Sequence, residues 1–362
     1  MSELTRFNLR RDTPPFARIH SEICRTMSDS FEALSAAQRI QHLAEVASRA
    51  LVHWPVSAAA TLTLLNISEN ATYRLDDPAS PVPRILRVHR TGYHTHNAVL
   101  TELAWMKALH DEAGMATPQA LPALDGELVK IITTPELAEA RFVVMFAFIE
   151  GHEPAPGQLI EPFKRLGALT AQMHLHARGW QRPAYFARLV WDFAGSVGSR
   201  GNWGDWRDGL AMTPEREVIL AQAVRALEIR LKHFGMGPER FGLIHADLRL
   251  ANLLVTPTDT RVIDFDDAGL GWFMYDLASA LSFMEEHADI DPLIAAWLGG
   301  YRSVAPLSRA EEDEIPTFLL LRRLTILAWT GSHPDTDLAR TLGPEYTAGS
   351  VRLAQRYLAT TR

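Results

Sequence analysis

The chain has only one cysteine, Cys24, among its 362 residues. A single thiol forms no internal disulfide and provides no cysteine-rich zinc site, so the sequence favours a cytoplasmic location. Long apolar runs are also absent: the longest extends from Phe142 to Ile149, whereas a membrane helix needs about 20 residues. The opening segment MSELTRFNLRRD has charges without a following apolar stretch, unlike a secretory signal. We therefore expect no membrane partner.

Positive charge is not in excess either. The 36 Lys and Arg residues face 43 Asp and Glu residues, which gives a formal net charge of -7. Because phosphate-backbone binding requires a basic surface, this balance disfavours a nucleic-acid partner, although one local cationic pocket would still accept ATP. Hydrophobic residues at 47% and charged residues at 22% are normal for a globular protein with room for two cores. The sequence leaves the oligomeric state open.

The sequence pattern changes near residue 58. The segments TLTLLN, ATYRL, RILRVH, ELVKII and RFVVMFAF are typical of strands, and a helical pattern separates the third from the fourth. After Gly151 the pattern becomes mainly helical, interrupted by the short strand segments GLIHAD, NLLVT and RVIDF. We predict an α+β, two-lobed, kinase-like architecture. Residues 1–57 form an N-terminal helical extension, 58–150 a small antiparallel nucleotide-binding lobe with one helix, and 151–362 a larger helical lobe for catalysis and substrate binding.

Three helix starts can be read directly from the sequence. Ser35 with Gln38, and Ser308 with Glu311, fit the capping box in which a side chain and a backbone amide satisfy each other. The segment Thr213-Pro214-Glu215 places a capping threonine before a proline in the first turn. We expect a further helix over Phe163–His176.

The most informative segment runs from residue 243 to residue 281. His245, Asp247 and Asn252 form the pattern H-x-D-x-x-x-x-N, and the next apolar strand ends in Asp264-Phe265-Asp266. Phosphoryl transfer requires a carboxylate near the attacking hydroxyl and oxygen ligands for Mg²⁺, which Asp247, Asn252 and Asp264 supply. The other interpretation, in which these carboxylates merely cap loop turns, does not explain the spacing.

This segment resembles the catalytic and metal-binding loops of the aminoglycoside phosphotransferase family. That family belongs to the protein-kinase-like group and includes choline kinases, type II homoserine kinases and bacterial stress-response kinases. The order of elements agrees from about residue 60 to residue 340. The resemblance implies ATP and Mg²⁺ as cofactors, Asp247 as catalytic base, and Asn252 and Asp264 as Mg²⁺ ligands. It implies that Asp266 is a further metal or substrate ligand, and that His245 and Asp276 support the catalytic loop structurally.

The nucleotide side departs from the family pattern in two places. A strand-turn-strand covers the phosphates in this group, but here the turn contains no glycine, so backbone amides and the side chains of Ser68, Asn70 and Thr72 are the expected donors. An ordinary hairpin turn is the other interpretation. Arg87 stands where the family has a lysine, and Glu102 on the following helix is its expected ion-pair partner. An arginine that merely faces solvent is the alternative.

The hinge between the lobes should follow the last strand of the small lobe. The resemblance implies that Phe146 and Phe148, at the end of that strand, lie beside the adenine and thereby contribute to nucleotide binding.

Two features of the catalytic segment favour a small acceptor molecule. Ala246 replaces the arginine of the H-R-D motif, and the interval from Asp266 to Tyr275 is too short for a long activation segment. We therefore expect a small hydroxylated molecule as partner: an amino alcohol, an amino acid, a sugar or an aminoglycoside. Tryptophan beside a carboxylate suits an amine. The residues expected to line its site are Trp203, Trp206, Asp267 and Trp272, although tryptophans of this kind also occur as core residues.

Three other functions remain open from the sequence alone. A Ser/Thr protein kinase of the same family would need a platform for a peptide. A nucleotide-binding pseudokinase is favoured by Arg87 and by the glycine-free turn, but not by the complete set of Asp247, Asn252 and Asp264. A metal-dependent phosphohydrolase could use His245 with the two aspartates, but it leaves the upstream sheet unexplained.

Overall fold

The computed structural model describes residues 31, 33–67, 70–135, 137, 139–155 and 157–360. These residues divide into two compact units. The first contains the described residues up to Tyr93 together with the segment from Leu121 to Phe146, and the second contains His94 to Ala120 and the chain from Ala147 onward. The division thus joins the described residues before 58 to the first unit and assigns the segment 94–120 to the second. The predicted boundaries at residues 57 and 150 stay a prediction.

The first unit is a five-stranded sheet with one helix. Helix α1 covers Ala36–Ala50, and the strands are β1 (Thr61–Ile67), β2 (Ala71–Asp76), β3 (Arg84–Val88), β4 (Lys130–Ile132) and β5 (Arg141–Ala147). The sheet order is β1-β2-β3-β5-β4, and the pairs β1–β2, β2–β3 and β4–β5 are antiparallel. The strand segments predicted for this region therefore all form strands of one sheet.

The packing of α1 explains why the sheet has a buried face. The predicted capping box is present, because Ser35 Oγ accepts from the Gln38 amide and Gln38 Oε1 accepts from the Ser35 amide at 3.0 Å. The helix buries one apolar side against the sheet, as its spacing of three and four residues requires. The core residues come from α1 and from alternate positions of the strands: Leu43, Val46, Ala47, Ala50, Leu75, Leu86, Val143 and Met145.

The second unit is mainly helical. Its helices are α2 (His96–Ala113), α3 (Ile160–Gly179), α4 (Phe193–Ser196), α5 (Pro214–Phe234), α6 (Phe273–Ala280), α7 (Ile290–Arg302), α8 (Arg309–Asp313), α9 (Ile315–Ser332) and α10 (Asp337–Thr360). Its strands are β6 (Leu189–Trp191), β7 (Phe241–Ile244), β8 (Leu253–Val255), β9 (Thr260–Val262) and β10 (Gly269–Trp272). Short 3₁₀ turns cover Leu51–His53, Trp206–Asp208 and Leu250–Asn252. None of the helices in the described part of the chain is both long and apolar enough to cross a membrane.

The predicted helix starts of this unit are confirmed. Thr213 caps α5 with Pro214 in the first turn, Ser308 and Glu311 form the capping box of α8, and the helix predicted over Phe163–His176 extends over the longer α3. Helix α10 bends at Gly343, whose φ of 55° departs from helical geometry just before Pro344. Proline lacks the amide proton that a continuous helix would use there.

The small sheets of this unit include two strands, β6 and β10, that the sequence pattern did not indicate. β10 lies between β6 and β7, parallel to the first and antiparallel to the second, while β8 and β9 form a separate hairpin. The sequence GLGW of β10 lacks the branched residues typical of strands. Its glycines are required by close approach, because a Cβ at Gly269 would lie 2.5 Å from the carbonyl oxygen of Leu189. Strand propensity therefore does not indicate β10, because its glycines are needed for close packing.

Helices α3 and α7 approach each other at backbone distance. A Cβ at Gly167 of α3 would overlap the carbonyl oxygen of Trp297, and a Cβ at Gly300 of α7 would overlap the carbonyl oxygen of Lys164. The two glycines thus allow each helix to contact the backbone of the other. This close pair also brings together His174 of α3 and Tyr301 of α7.

Candidate active site

The H-x-D-x-x-x-x-N segment forms a loop between two small sheets. His245 to Asp247 follow the end of β7, and the 3₁₀ turn Leu250–Asn252 leads into β8. After β9 the chain returns beside this turn, because the Ile263 amide donates to the Asn252 carbonyl at 3.0 Å. The β8–β9 hairpin therefore brings Asn252 and Asp264 next to each other, although twelve positions separate them in the sequence.

Two residues of these loops have backbone angles that non-glycine residues rarely adopt. The φ angle is +67° at Ala246 and +64° at Asp264, both in the left-handed region. Such a conformation costs roughly 1–3 kcal/mol per residue and persists only where the surrounding structure imposes it. The hydrogen bonds to both loops supply that constraint.

Asp276, on helix α6, accepts hydrogen bonds from the backbone of the catalytic loop. Its Oδ1 accepts from the Ala246 amide at 2.7 Å, and its Oδ2 accepts from the His245 amide at 3.1 Å. Ser279, one turn further along α6, accepts from the Leu248 amide at 2.9 Å. Because Asp276 is fully buried, these bonds satisfy groups that water does not reach. The bonding pattern is what the predicted structural role of Asp276 requires.

A second layer of hydrogen bonds holds Asp276 in turn. His174 Nε2 lies 3.0 Å from Asp276 Oδ2, and His174 Nδ1 lies 3.0 Å from the Tyr301 hydroxyl. Burial lowers the pKa of His174, although its bond to Asp276 acts in the opposite direction. A neutral imidazole fits both contacts, because Nε2 donates to the carboxylate while Nδ1 accepts from the hydroxyl. The catalytic loop is thereby linked to helices α3 and α7.

His245 connects the two halves of the site. Its Nε2 lies 3.2 Å from the Ile263 carbonyl, its Nδ1 accepts from the Asp247 amide at 3.3 Å, and its ring lies 4.5 Å from that of Phe265. Burial lowers the pKa of His245, which is consistent with a neutral ring that donates through Nε2. His245 therefore joins the loop of Asp247 to the strand end that precedes Asp264.

The Asp247 carboxylate lies among three donors. Arg322 of α9 donates to Oδ1, while Asn252 Nδ2 and Arg249 Nε donate to Oδ2 at 2.7 and 3.3 Å. Burial opposes ionisation of Asp247, but the positive charges of Arg322 and Arg249 outweigh it, so the pKa of Asp247 lies below its ordinary value. Asp247 is therefore an anion with a fixed orientation, which a proton acceptor requires.

The oxygen donors around Asp264 fit a magnesium ion. Asn252 uses its amide nitrogen toward Asp247, so its side-chain oxygen is the atom of the ligand type, and Asp264 adds a carboxylate from the neighbouring strand end. The described residues contain no cluster of three or more His, Cys, Asp or Glu side chains of the kind that encloses a metal by itself. Magnesium matches this arrangement, because it is typically held by one or two protein ligands together with phosphate oxygens and water.

The loop that follows Asp264 is held by two residues that the sequence did not single out. Arg188 donates to the carbonyl of Ala98 at 3.0 Å, to that of Phe265 at 3.1 Å, and also to the carbonyls of Asp266 and Ala268. His94 Nε2 lies 2.8 Å from the Asp266 carbonyl and 3.5 Å from its carboxylate. These contacts fix the loop against the start of α2, and they make the buried Asp266 a neighbour of a histidine. Its predicted role as a ligand stays a prediction.

The predicted acceptor residues occupy two kinds of environment. Trp203 lies beside the catalytic loop, with its ring centroid 5.1 Å from the guanidinium carbon of Arg322. Its ring is also 5.1 Å from that of Trp191, whose Nε1 donates to the Asp267 carbonyl at 2.8 Å. Trp203, which is 8% exposed, is therefore a neighbour of the Asp247 region, and Trp191 links it to the backbone of Asp267.

Trp206 and Trp272 have core positions instead. Trp206 is 1% exposed and stacks under the guanidinium of Arg207 at 4.3 Å. Trp272 packs against Phe241 and Phe318 and donates to the Gly235 carbonyl at 2.8 Å. Both were predicted as acceptor-lining residues from residue type alone, and their burial argues against that contact, because almost no surface is left for a ligand.

The nucleotide-side residues of the first unit lie on its strands. Thr72 of β2 pairs with Arg87 of β3, and Asn70 Oδ1 accepts from the Arg90 amide at 3.0 Å. Arg87 is only 6% exposed, its Nε donates to His89 Nε2 at 3.2 Å, and its guanidinium carbon lies 5.0 Å from the ring of Phe146. An arginine that merely faces solvent is thus excluded.

Three further residues were predicted on the nucleotide side. Ser68 lies outside the described residues. Glu102, on α2, is buried in the second unit. Phe148, the residue after β5, also belongs to the second unit. The ion pair between Arg87 and Glu102 stays a prediction.

The chain is similar to a known protein family and to several known kinases. Residues 61–307 match the model of the phosphotransferase enzyme family. A solved structure of a microcompartment-associated aminopropanol kinase is 41% identical, with a TM-score of 0.81 over 88% of this chain and 98% of that one. The amicoumacin kinase of Bacillus subtilis (strain 168) is 26% identical over 281 residues, 73% of this chain and 77% of that protein. An amicoumacin kinase structure with AMP-PNP, Ca²⁺ and Ami is 22% identical and shares the fold, with a TM-score of 0.71 over 88% of this chain and 94% of that one.

The chain therefore belongs to the phosphotransferase enzyme family. It is an ATP-dependent kinase with a protein-kinase-like α+β fold, and its acceptor is the hydroxyl group of a small molecule. The predicted family, fold class and general activity are confirmed. The protein kinase and pseudokinase alternatives are not favoured.

Proposed function

We propose that this chain transfers the γ-phosphate of Mg-ATP to the hydroxyl group of a short amino alcohol. The observation that carries the phosphotransfer is the juxtaposition of the anionic Asp247 with Asn252 and, across the β8–β9 hairpin, with Asp264. The acceptor class is supported by the likeness to an aminopropanol kinase, because 41% identity extends over 98% of that chain.

In this proposal Asp247 is the general base. Its carboxylate accepts the proton of the acceptor hydroxyl as the oxygen attacks phosphorus, a role that typically contributes about 10²–10⁴ to the rate. Arg249 lies beside the same carboxylate with a side chain that is 26% exposed. A cation in that place stabilises negative charge that spreads over the transferring group. Asn252 orients Asp247 through the bond from its amide nitrogen.

The metal ligands in this proposal are the Asn252 side-chain oxygen and the Asp264 carboxylate, with Asp266 as a further ligand. Magnesium bound there with ATP would neutralise phosphate charge and orient the γ-phosphate. Both ligands lie on short segments whose backbones are fixed by hydrogen bonds, so their positions are set before the nucleotide arrives. Fixed ligands of this kind suit a metal that requires nearly ideal geometry.

For the nucleotide, Arg87 is proposed to bind the α- and β-phosphates with Glu102 as its ion-pair partner. Ser68, Asn70 and Thr72 would donate to the phosphates, and Phe146 and Phe148 would lie beside the adenine. A planar guanidinium can bind two phosphate oxygens at once. The support for this assignment is the buried position of Arg87 on β3, which is unusual for a cation without such a function.

For the acceptor, Trp203 and Asp267 are proposed to recognise the amine. An aromatic face and a carboxylate attract a cation by different means. The support is that Trp203 lies beside Arg322, the partner of Asp247, and that Trp191 joins the Trp203 ring to the backbone carbonyl of Asp267. We also propose a cytoplasmic location, as the single cysteine suggests.

The test is ADP release from Mg-ATP by the full chain over a panel of acceptors. The panel contains 1-amino-2-propanol, ethanolamine, choline, homoserine, an aminoglycoside, a sugar, 1,2-propanediol and a generic protein substrate. We expect the strongest stimulation with the amino alcohols and little with 1,2-propanediol, which has hydroxyl groups but no amine. Asp247→Asn is the control and should remove the stimulated release while nucleotide binding persists.

Other results would contradict separate parts of the proposal. Stimulation by 1,2-propanediol equal to that by aminopropanol would exclude recognition of the amine. Stimulation only by a sugar or an aminoglycoside would replace the acceptor class but leave the chemistry. Full turnover by Asp247→Asn would exclude Asp247 as the base.

A further inference from the structure

Helix α9 contains two adjacent buried arginines. Arg322 and Arg323 are the only charged residues from Ile315 to Ser332, and they are 1% and 5% exposed. A buried cation is strongly unfavourable unless it is paired and hydrogen-bonded, so each of them requires specific partners. The partners of the two residues differ, and this difference separates their functions.

Arg322 directs all three of its guanidinium nitrogens to the region of the catalytic loop. Nη2 donates to Asp247 Oδ1, Nη1 donates to the Ala246 carbonyl at 3.1 Å, and Nε donates to Ser282 Oγ at 2.9 Å. The rings of Trp203 and Tyr275 lie 5.1 and 5.8 Å from its guanidinium carbon. Arg322 thus joins the loop of Asp247, the turn after α6 and helix α9 at one point.

These contacts restrict the rotation of the Asp247 carboxylate. A carboxylate offers about four acceptor directions, two on each oxygen. On Oδ2 both are used, by Asn252 and by Arg249, whereas Arg322 uses one on Oδ1. One direction on Oδ1 is left, and a hydroxyl that displaces the long 3.3 Å bond from Arg249 would gain another. Arg322 and Asn252 together fix the orientation of the two acceptor directions of Asp247 that a hydroxyl could use.

We propose that Arg322 is a positioning residue for phosphoryl transfer, which sets the rotation of the Asp247 carboxylate so that an acceptor hydroxyl meets it in line for attack. This inference rests on the proposed function of Asp247. Arg322 itself contacts neither the metal ligands nor the nucleotide residues named above, so its removal alters the attack geometry and not the binding of Mg-ATP. A misplacement of about 1 Å at a reacting group can lower the rate about 100-fold.

Arg323 provides a matched control on the same helix. It donates to Glu285 at 2.8 Å, to Ser350 Oγ at 2.9 Å and to the Tyr346 carbonyl at 3.0 Å, and its guanidinium lies 3.6 Å from the Tyr346 ring. Arg323 is therefore about as buried as Arg322 and makes a similar number of hydrogen bonds. Its carboxylate partner, however, is Glu285 and not the proposed base Asp247. Removing either arginine takes a positive charge and a hydrogen bond away from a buried carboxylate, so both changes should destabilise the fold.

The experiment compares Arg322→Met, Arg322→Lys and Arg323→Met with the unchanged chain. For each we would measure kcat and KM with the best acceptor of the panel, the Kd for Mg-ATP by calorimetry, and the Tm. We expect Arg322→Met to lose about 100-fold in kcat with the Kd for Mg-ATP within about twofold. Arg322→Lys keeps the positive charge but not the planar set of guanidinium donors, so it should recover only part of the loss in kcat. Arg323→Met should lower the Tm by a similar amount and keep kcat within about threefold.

Two further readouts test the same point. We would add guanidinium to Arg322→Ala, since Trp203 and Tyr275 lie beside the Arg322 guanidinium, and expect partial recovery of kcat with the best acceptor. The second readout does not depend on the acceptor. A crystal structure of Arg322→Met should show the Asp247 carboxylate rotated from its present orientation. Equal losses of kcat in the Met variants of both arginines, or an unrotated Asp247 with full kcat, would overturn the proposal.

The two proposals fail in different ways. If no acceptor stimulates ADP release by the unchanged chain, the proposed function fails. The crystal structure of Arg322→Met still decides the present inference, because an unrotated Asp247 would overturn it and a rotated one would support it.

Discussion

The loop that carries Asp247 and the strands that carry Arg87 differ in how their polar side chains are held. Asp247 receives bonds from three side chains and Asp276 from two amides and a histidine. Arg87 and Thr72 instead face each other across a regular β-ladder, whose backbone hydrogen bonds fix the position of the strands. A group that accepts a proton needs one direction, whereas a cation that binds phosphate tolerates several. The difference predicts that substitutions on the loop cause large losses of activity or stability, and that substitutions on the sheet cause smaller losses of nucleotide binding.

The largest effect should come from Asp264→Ala. Removal of a carboxylate ligand should weaken the binding of Mg-ATP by about 100-fold or more, because magnesium then keeps only the Asn252 oxygen from this pair. Calorimetric titration with Mg-ATP, and with ATP in the presence of EDTA, measures this directly. The unchanged chain should bind Mg-ATP more tightly than ATP in EDTA. The variant should bind both with the same Kd. An unaltered Kd would place the metal elsewhere.

The next effect should be on stability. Asp276→Ala leaves the His245 and Ala246 amides and one nitrogen of His174 without their acceptor, at a cost of about 1–3 kcal/mol for each buried group. Urea unfolding should therefore show a loss of several kcal/mol, together with lower turnover. Asp111→Ala, which removes an exposed carboxylate paired with Lys107, is the control and should change little. Equal stability of the two variants would mean that the loop does not depend on Asp276.

A graded effect is expected on the sheet. Arg87→Ala should weaken Mg-ATP binding by about tenfold, which is the lower end of the roughly 1.5–3 kcal/mol that a charge-assisted hydrogen bond contributes, and Arg87→Lys should recover part of the loss. Arg84→Ala is the control, because Arg84 lies on the same strand but donates to the Pro55 carbonyl. A loss as steep as that of Asp264→Ala would contradict the contrast between loop and sheet. No loss would assign the phosphates to another residue.

The smallest effect concerns pH. Burial lowers the pKa of His174 in the folded protein, whereas the unfolded chain binds a proton near the ordinary value of about 6.5. The unfolded state then holds more protons, so stability should fall as the pH decreases below about 6.5, by at most about 1.4 kcal/mol per pH unit for this group. His174→Gln should flatten the slope between about pH 6.5 and pH 5, measured by urea unfolding. An unchanged slope would show that His174 does not contribute.

The sequence predicted the parts of this molecule that depend on local pattern. Short apolar segments separated by polar turns indicated all the strands of the first unit, and the fixed spacing of His245, Asp247 and Asn252 indicated the catalytic loop. Strand β10 was missed because its glycines serve close packing and not strand propensity. Local pattern carries no such information.

The contacts that complete the site depend on long-range packing. Arg322 lies 75 positions from Asp247, and Arg188 lies 77 positions from the Phe265 carbonyl. The one signal that could have found the first was a pair of adjacent arginines inside an apolar helix. Trp206 and Trp272 illustrate the opposite difficulty: residue type suggested an acceptor surface, whereas both side chains are buried, and residue type alone does not separate the two.

The close approach of α3 and α7 limits how this enzyme can be stabilised by design. Replacing a helical glycine by alanine is a standard way to raise thermal stability, since it gains up to about 1 kcal/mol of helix propensity. At Gly167 and Gly300 the same replacement would push the helix backbones apart. The displacement would reach His174 and Tyr301, and through them Asp276. A library that ranks substitutions by helix propensity would therefore select, at these two positions, variants that inactivate the enzyme at lower temperature.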